Sequence, residues 1–299
     1  MADVTDAAFR RIITKYGKPD VFWTEFVSAD GLCSEGGREA LMIDLQYTEA
    51  ERPIVAQIFG SKPENIKQAA ALIQELGFDG IDINMGCPDK TIEKQGAGAA
   101  HIKNPALARE IIRAAKEGAP NLPVSVKTRE GYNKNEIETW IPELLKEDIA
   151  ALIIHARTRK EMSKVLARWE DVKRVVEIVR ASGKDTLVIG NGDVIDTDDG
   201  LKKAKESGAD GVMIGRGIFG NPWLFSGHVP TIEEKLKVMV EHTKLFEELL
   251  GKQKNFAIMK KHYKAYVNGW DGAKELRMKL MDAANATEVE AIINNYLKV

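Results

Sequence analysis

Between residues 21 and 214 the chain alternates seven short apolar runs with longer amphipathic stretches, and few folds accept that alternation. The runs predict strands over 21–27, 54–59, 80–84, 124–127, 151–155, 187–190 and 211–214. The stretches 63–76, 105–117, 136–146, 169–181 and 197–207 place apolar residues at helical spacing, and a further helix is expected over 7–16. Strands that read as Val/Ile runs are covered on both faces, and helices between them make the connections parallel. The choice is then between a closed (β/α)8 barrel and an open doubly wound sheet.

Two features favour the (β/α)8 barrel. Polar or reactive residues recur at the C-terminal end of one run after another: Gln57, Asn84 with Cys87, Lys127, His155, Asn191 and Gly215. A barrel gathers those ends on one face, where its active sites are built. The last two runs also enter Gly-rich turns, Gly190-Asn191-Gly192-Asp193 and Gly215-Arg216-Gly217, where barrels commonly hold a phosphate. No Gly-x-Gly-x-x-Gly follows an early run, so a Rossmann reading lacks its fingerprint. Seven strands can be counted where a barrel has eight, and the first is expected to precede residue 1; without it two strand edges would be exposed.

After Pro222-Trp223 the pattern is helical only, over 232–250, 256–268, 272–281 and 286–297. The expected division is a catalytic barrel over 1–228 and a helical domain over 229–299. A length of 299 residues suits a barrel of roughly 250 residues plus such an appendage.

Composition narrows the setting. With 44% hydrophobic and 29% charged residues the chain is ordinary for a globular protein. No apolar run approaches the ~20 residues of a membrane span, and the N-terminus has no signal-peptide core. Two cysteines are too few for a disulfide framework or a zinc cluster, so a cytoplasmic protein using a thiol is expected, with no membrane and no obligate protein partner. The net charge of −2 gives no global nucleic-acid signal. Residues 252–279, however, hold eight basic residues (Lys252, Lys254, Lys260, Lys261, Lys264, Lys274, Arg277, Lys279) against Asp271 and Glu275, a net of +6. Such a patch can bind phosphates, or can be a solvated helix face.

Cys87 is the main chemical candidate. It lies in the turn Gly86-Cys87-Pro88 directly after a strand, poorly placed for packing and well placed for reaction. Lys90 could tune it or hold a phosphate, and Gly96-Ala97-Gly98 permits close approach of a ligand backbone. Lys127, a charge at a strand end, should point into the mouth; His155 is as readily structural as functional. No two His or Cys in these loops have metal-ligand spacing, so no metal is expected.

These motifs together resemble the tRNA-dihydrouridine synthase family over essentially the whole chain. They are Met1-Ala2-Asp3-Val4-Thr5-Asp6, Ala56-Gln57-Ile58-Phe59-Gly60, Asn84-Met85-Gly86-Cys87-Pro88 with Lys90, Val126-Lys127-Thr128-Arg129, His155-Ala156-Arg157-Thr158 and the two Gly-rich turns. Lys260-Lys261-His262-Tyr263 and Glu275-Leu276-Arg277 resemble the helical domain of the bacterial B-type branch. The resemblance implies FMN at the barrel mouth, with Gln57 and Lys127 on its ring system. Asn191, Gly192, Asp193, Gly215 and Arg216 match positions on its ribityl and phosphate parts, and Met1, Ala2 and His155 complete the set. It also implies that NADPH reduces FMN, that hydride passes to C6 of a D-loop uridine in tRNA, and that Cys87 gives a proton to C5. Asn84, Lys90 and Arg129 match positions near the uracil, and Arg157, Lys260, Lys261 and Arg277 are the expected RNA contacts.

Four departures from the family pattern stand out. Only Met1-Ala2 remains of a first strand that usually ends in Ala-Pro-Met-Ala; Asp3 adds a carboxylate near the expected flavin; His101 replaces a usual Leu; and Arg168 replaces an Asp before Trp169. Two other readings keep the barrel: a flavin enzyme acting on a free pyrimidine, and a non-catalytic tRNA-binding relative.

Overall fold

The computed structural model describes residues 1 and 3–298. Ala2, expected in the cofactor site, lies outside the described residues. The chain opens with α1 (Ala7–Gly17), capped by Asp6, whose carboxylate accepts the Phe9 N–H. Then come β1 (Phe22–Ser28), the short helices α2 (Ala29–Leu32) and α3 (Glu35–Leu41), β2 (Ile54–Phe59), α4 (Pro63–Glu75), β3 (Gly80–Met85) and α5 (Lys90–Lys94). Next are α6 (Pro105–Gly118), β4 (Val124–Arg129), α7 (Ile137–Leu144), β5 (Ala151–His155), α8 (Trp169–Ala181), β6 (Leu187–Asn191), α9 (Thr197–Ser207) and β7 (Gly211–Met213). The remainder is α10 (Ile232–Leu250), α11 (Met259–Tyr266), α12 (Ala273–Asp282) and α13 (Ala286–Tyr296).

All seven strands pair in parallel, in sequence order from β1 to β7. This is the order of a (β/α) barrel, with β1 and β7 as its edges. It excludes the doubly wound alternative, in which the strand order reverses at a switch point. The strands alternate faces more sharply than Val/Ile runs suggest. In β3, Ile81 and Ile83 join the apolar layer beneath the helices, while Asp82 and Asn84 take the opposite, concave face. In β4, Val124 and Val126 do the same against Ser125 and Lys127.

Two apolar cores meet at α1. Its Phe9 and Ile13 belong to the core between sheet and helices; Ala8 and Ile12 belong to a second core built by α10–α13 and Trp223. The helix α1 is therefore shared between the barrel and the helical segment. The basic segment expected as one helix over 256–268 is a 3-10 turn (Phe256–Ile258) followed by α11. Among the described residues no helix is long and apolar enough to cross a membrane.

Candidate active site

Parallel register carries the strand-end residues around the rim as one set. Gln57 pairs with Asp82, Asn84 with Lys127, Arg129 with His155, and His155 with Asn191. Each is on the concave face because the side chains alternate. Cys87 stands at the edge of this set. Its loop is held from two sides: Asn84 Oδ1 accepts the N–H groups of Gly86 (3.1 Å) and Cys87 (2.9 Å), and Arg129 Nε donates to the Gly86 carbonyl at 2.8 Å. Burial pushes the Cys87 thiol up, with the Asp89 N–H, Arg129 and Lys127 opposing the shift. The group is a protonated thiol at neutral pH, a store for one proton. Lys90, expected to tune it or hold a phosphate, is exposed at the start of α5.

Lys127 is a half-buried cation that feels the Asp82 carboxylate without touching it. Among the described residues its ammonium has neither a salt bridge nor a hydrogen bond, and burial, then Arg129, lowers it to about 8. It remains cationic at neutral pH, and with no carboxylate in contact with it among the described residues it is free to take an anionic ligand.

His155 is electrically the opposite. Burial and the charges of Lys127, Arg129, Arg157 and Arg216 push its imidazole down to about 2, so it is neutral. Arg157 Nη1 lies 2.9 Å from His155 Nε2, and a guanidinium only donates. The imidazole proton therefore sits on Nδ1. Arg157 itself, 2% exposed, also donates to the Val165 carbonyl (2.7 Å) and to the Asp193 carboxylate. The expectation of an RNA contact does not fit this position; Arg157 braces His155 and Asp193. Arg129 is buried too, tying the Cys87 loop to the carbonyls of Thr158 (3.2 Å) and Met162 (3.1 Å).

The loop after β6 is shaped for backbone contact. Gly192 (φ 125°) and Asp193 (φ 50°) are left-handed, and a Cβ on Gly192 would lie 2.8 Å from Ala167 Cβ. Trp169 stacks onto Gly190 and donates Nε1 to the Gly192 carbonyl at 3.0 Å. The N–H groups of Gly192, Asp193 and Gly215 donate to nothing among the described residues, and a Cβ on Gly215 would meet only open space. The Asp193 carboxylate is taken up by Arg157, the Ala167 N–H (2.9 Å) and Arg216 (3.1 Å), so only its backbone faces a ligand freely. Asn191 Nδ2 is spent on the Met213 carbonyl at 2.8 Å.

Met1 lies half-buried beside this rim. Its amino group donates to Thr5 Oγ1 at 2.8 Å and feels the charges of Glu25 and Lys127. Asp3, expected near the cofactor, instead pairs with Lys261 at 3.2 Å. His101 is buried behind the rim, with Nε2 3.0 Å from the Gly60 carbonyl. Arg168 is matched by three acids: it meets the buried Glu130, Glu161 (2.7 Å) and Asp171 (3.0 Å).

The basic stretch divides. Lys254 reaches into the barrel to Glu25 (2.7 Å) and Asp44 (2.6 Å), Lys260 donates to the Met281 carbonyl (2.6 Å), and Arg277 donates to the Val267 carbonyl (2.6 Å). These three, and Lys261 on Asp3, hold the helical segment together or to the barrel. Lys252, Lys264, Lys274 and Lys279 are exposed. None of Lys260, Lys261 and Arg277 is in the Cys87 rim set.

One residue central to the geometry was not singled out from sequence: Asp82, fully buried, bonded to Ser125 and Gln57. Its signal was present. The period of two in Ile81-Asp82-Ile83-Asn84 puts an acid on the same face as Asn84.

Comparison with known proteins gives a likeness of fold and a family. In fold, the old yellow enzyme homologue of Zymomonas mobilis superposes with a TM-score of 0.50 at 14% identity, over 74% of this chain and 82% of that one. In sequence, "Probable tRNA-dihydrouridine synthase 2" of Bacillus subtilis is 42% identical, over 99% of this chain and 92% of its own length. "Probable tRNA-dihydrouridine synthase" of Staphylococcus aureus (strain MRSA252) is 41% identical, over 99% and 91%. The family model described as Dihydrouridine synthase (Dus) matches residues 1–298, and the chain belongs to that family.

Proposed function

We propose that this protein reduces the C5=C6 bond of a uridine in tRNA to dihydrouridine, with FMN as its resident cofactor and NADPH as the source of electrons. The observation that carries the reading is the placing of a protonated thiol, Cys87, on the same rim as the half-buried Lys127, whose ammonium makes no ion pair or hydrogen bond among the described residues. The family membership and the names of the relatives support the same substrate.

The residues suit a flavin mononucleotide. Lys127 offers a fixed positive charge to an electron-rich ring, and His155 offers a neutral Nδ1–H. The free N–H groups of Gly192, Asp193 and Gly215, with the Arg216 guanidinium, suit a phosphate monoester. When bound, FMN supplies hydride to C6 of the uracil. Charge then develops toward C5 and O4, and Cys87 Sγ gives its proton to C5, leaving a thiolate that solvent reprotonates. Arg129, behind the loop, keeps the Gly86 carbonyl and hence the thiol in place.

A uridine in folded tRNA must be turned out of its stack, so a second RNA surface is needed. In this reading the helical segment over 229–299 supplies it through Lys252, Lys264, Lys274 and Lys279. The target position is a D-loop uridine. The test is nucleoside mass spectrometry of tRNA lacking dihydrouridine after incubation with the FMN-loaded protein and NADPH. New dihydrouridine in the D-loop supports the reading; reduction of free uracil or orotate instead supports a small-molecule enzyme.

A further inference from the structure

The side chains behind the reactive loop form a hydrogen-bond series with a direction. Asp82 Oδ1 accepts from Ser125 Oγ at 2.6 Å, and Oδ2 accepts from Gln57 Nε2 at 2.6 Å. Gln57 Oε1 accepts from Asn84 Nδ2 at 3.1 Å. Asn84 Oδ1 then accepts from the Cys87 N–H at 2.9 Å. A carboxylate can only accept, whereas each amide has one donating and one accepting end. An acceptor at Asp82 turns the Gln57 amine toward it and the Gln57 carbonyl toward Asn84. Asn84 must answer with its amine, which leaves its carbonyl facing Cys87. If either amide were reversed, an amine would face the Cys87 N–H and the cap would be lost.

We propose that Asp82 is a positioning residue for Cys87: as the acceptor-only end of the series, it orients two amides in turn and so holds the Asn84 cap on the thiol loop. The proposal deepens the reading of Cys87 as proton donor and takes its functional meaning from it. Packing alone gives no reason for an acid here. A fully buried carboxylate in mid-strand is costly where Val or Ile would fit the pattern of its neighbours. Burial raises Asp82 to about 6, opposed by Ser125, Gln57 and Lys127, so it is an anion at neutral pH and accepts at both oxygens. Gln57, on this view, is shared: one amide hydrogen goes to Asp82, and the second is free for the cofactor.

The test is the rate of Cys87 alkylation by iodoacetamide at neutral pH, read by peptide mass spectrometry on the full-length FMN-loaded protein. Cys33, outside the series, serves as the internal reference. Asp82→Val removes the acceptor and fills the space with a residue suited to a strand. The Cys87-to-Cys33 ratio is expected to rise about threefold or more, the change in thiolate that half a pKa unit represents, and to match that of Asn84→Ala. Thermal stability does not discriminate, because a buried charge is gone but Ser125 Oγ and Gln57 Nε2 lose their acceptor. A merely structural Asp82 predicts unchanged Cys87 reactivity whatever the stability. A ratio within about 1.5-fold of wild type overturns the proposal. Should Asp82→Val fail to fold, Gln57→Met breaks the series one link further on and is read by the same criterion. Failure of wild-type protein to modify tRNA would count against the proposed function instead, and leaves the alkylation comparison readable.

Discussion

Arg157 Nη1 lies 2.9 Å from His155 Nε2, and this contact decides the tautomer of the imidazole at the rim. A donor on Nε2 forces the proton onto Nδ1, and burial, then the surrounding cations, keep a second proton off. His155 should therefore show a neutral Nδ1–H tautomer by nitrogen NMR throughout the range in which the protein is folded. In Arg157→Met the donor on Nε2 is lost, so the Nδ1–H tautomer should no longer be fixed, while burial, Lys127 and Arg129 still hold the ring neutral. FMN affinity should fall about tenfold, the equivalent of one well-placed hydrogen bond to a charged group. An unchanged spectrum in the variant would show that Arg157 does not control the ring.

The glycines of the two rim loops predict opposite stability effects. A Cβ at Gly190 would lie 2.4 Å from Trp169 Cζ3, inside a packed wall. Gly190→Ala should cost about 1–3 kcal/mol in chemical denaturation and weaken FMN retention as the loop shifts. At Gly215 nothing lies within 4 Å. Gly215→Ala should leave stability of the FMN-free protein within about 0.5 kcal/mol of wild type while still weakening FMN, because the open space is where the ligand approaches.

Three buried histidines and the half-buried His155 set a pH dependence of folding. His101 and His242 are lowered by burial, His262 to about 4, and His155 to about 2. Unfolded, each takes up a proton near its ordinary value of about 6.5, and folded it does not. The unfolded state thus binds more protons below that value, and stability falls as pH drops. Asp6 and Asp82, raised to about 6 by burial, work the other way, since the folded state binds their protons first as pH falls. The histidines outnumber them and begin to act at higher pH, so acidification from neutral toward pH ~5 should destabilise the protein. His242 and His262 pack ring to ring at 4.7 Å, with both His262 nitrogens unpartnered among the described residues. His262→Leu should flatten the slope by up to about 1.4 kcal/mol per pH unit, measured as urea midpoints across pH.

Lysines of the basic stretch should separate into two kinds. Lys254→Ala leaves Glu25 and Asp44 facing each other without their cation, and should lower thermal stability by several degrees. Lys264→Ala or Lys274→Ala should leave stability within about 0.5 kcal/mol. Each should weaken tRNA binding and reduce its salt slope by roughly one unit or less per lysine. If the exposed variants bind tRNA like wild type, the RNA surface is elsewhere.

The barrel was legible because strand and helix periods differ, and because its core repeats them without exception. The 54–59 and 151–155 runs and the helices over 169–181, 197–207 and 232–250 coincide with the observed elements. The short helices α2 and α3 were not foreseen, since four to seven residues hold too few turns for a period to show. Within the site, the strand-end rule brought Gln57, Asn84, Lys127 and His155 to one rim. What sequence could not supply was the allocation of charge. Asp3 with Lys261, Lys254 with Glu25, and Arg157 with Asp193 each join residues more than 30 positions apart, and only folding decides which cation is already spent. Asp82 was overlooked because an acid inside an apolar run reads as an interruption, though its phase matches Asn84.

The most direct measurement is the dihydrouridine content of unmodified tRNA after reaction with FMN-loaded wild-type protein and with Cys87→Ala, each supplied with NADPH. Wild type should convert a D-loop uridine, and Cys87→Ala should be slower by at least about a hundredfold, the ordinary worth of a positioned general acid. It should do so while binding FMN and tRNA normally. Equal rates in the two proteins, with both folded and FMN-loaded, would contradict the assignment of the C5 proton to Cys87.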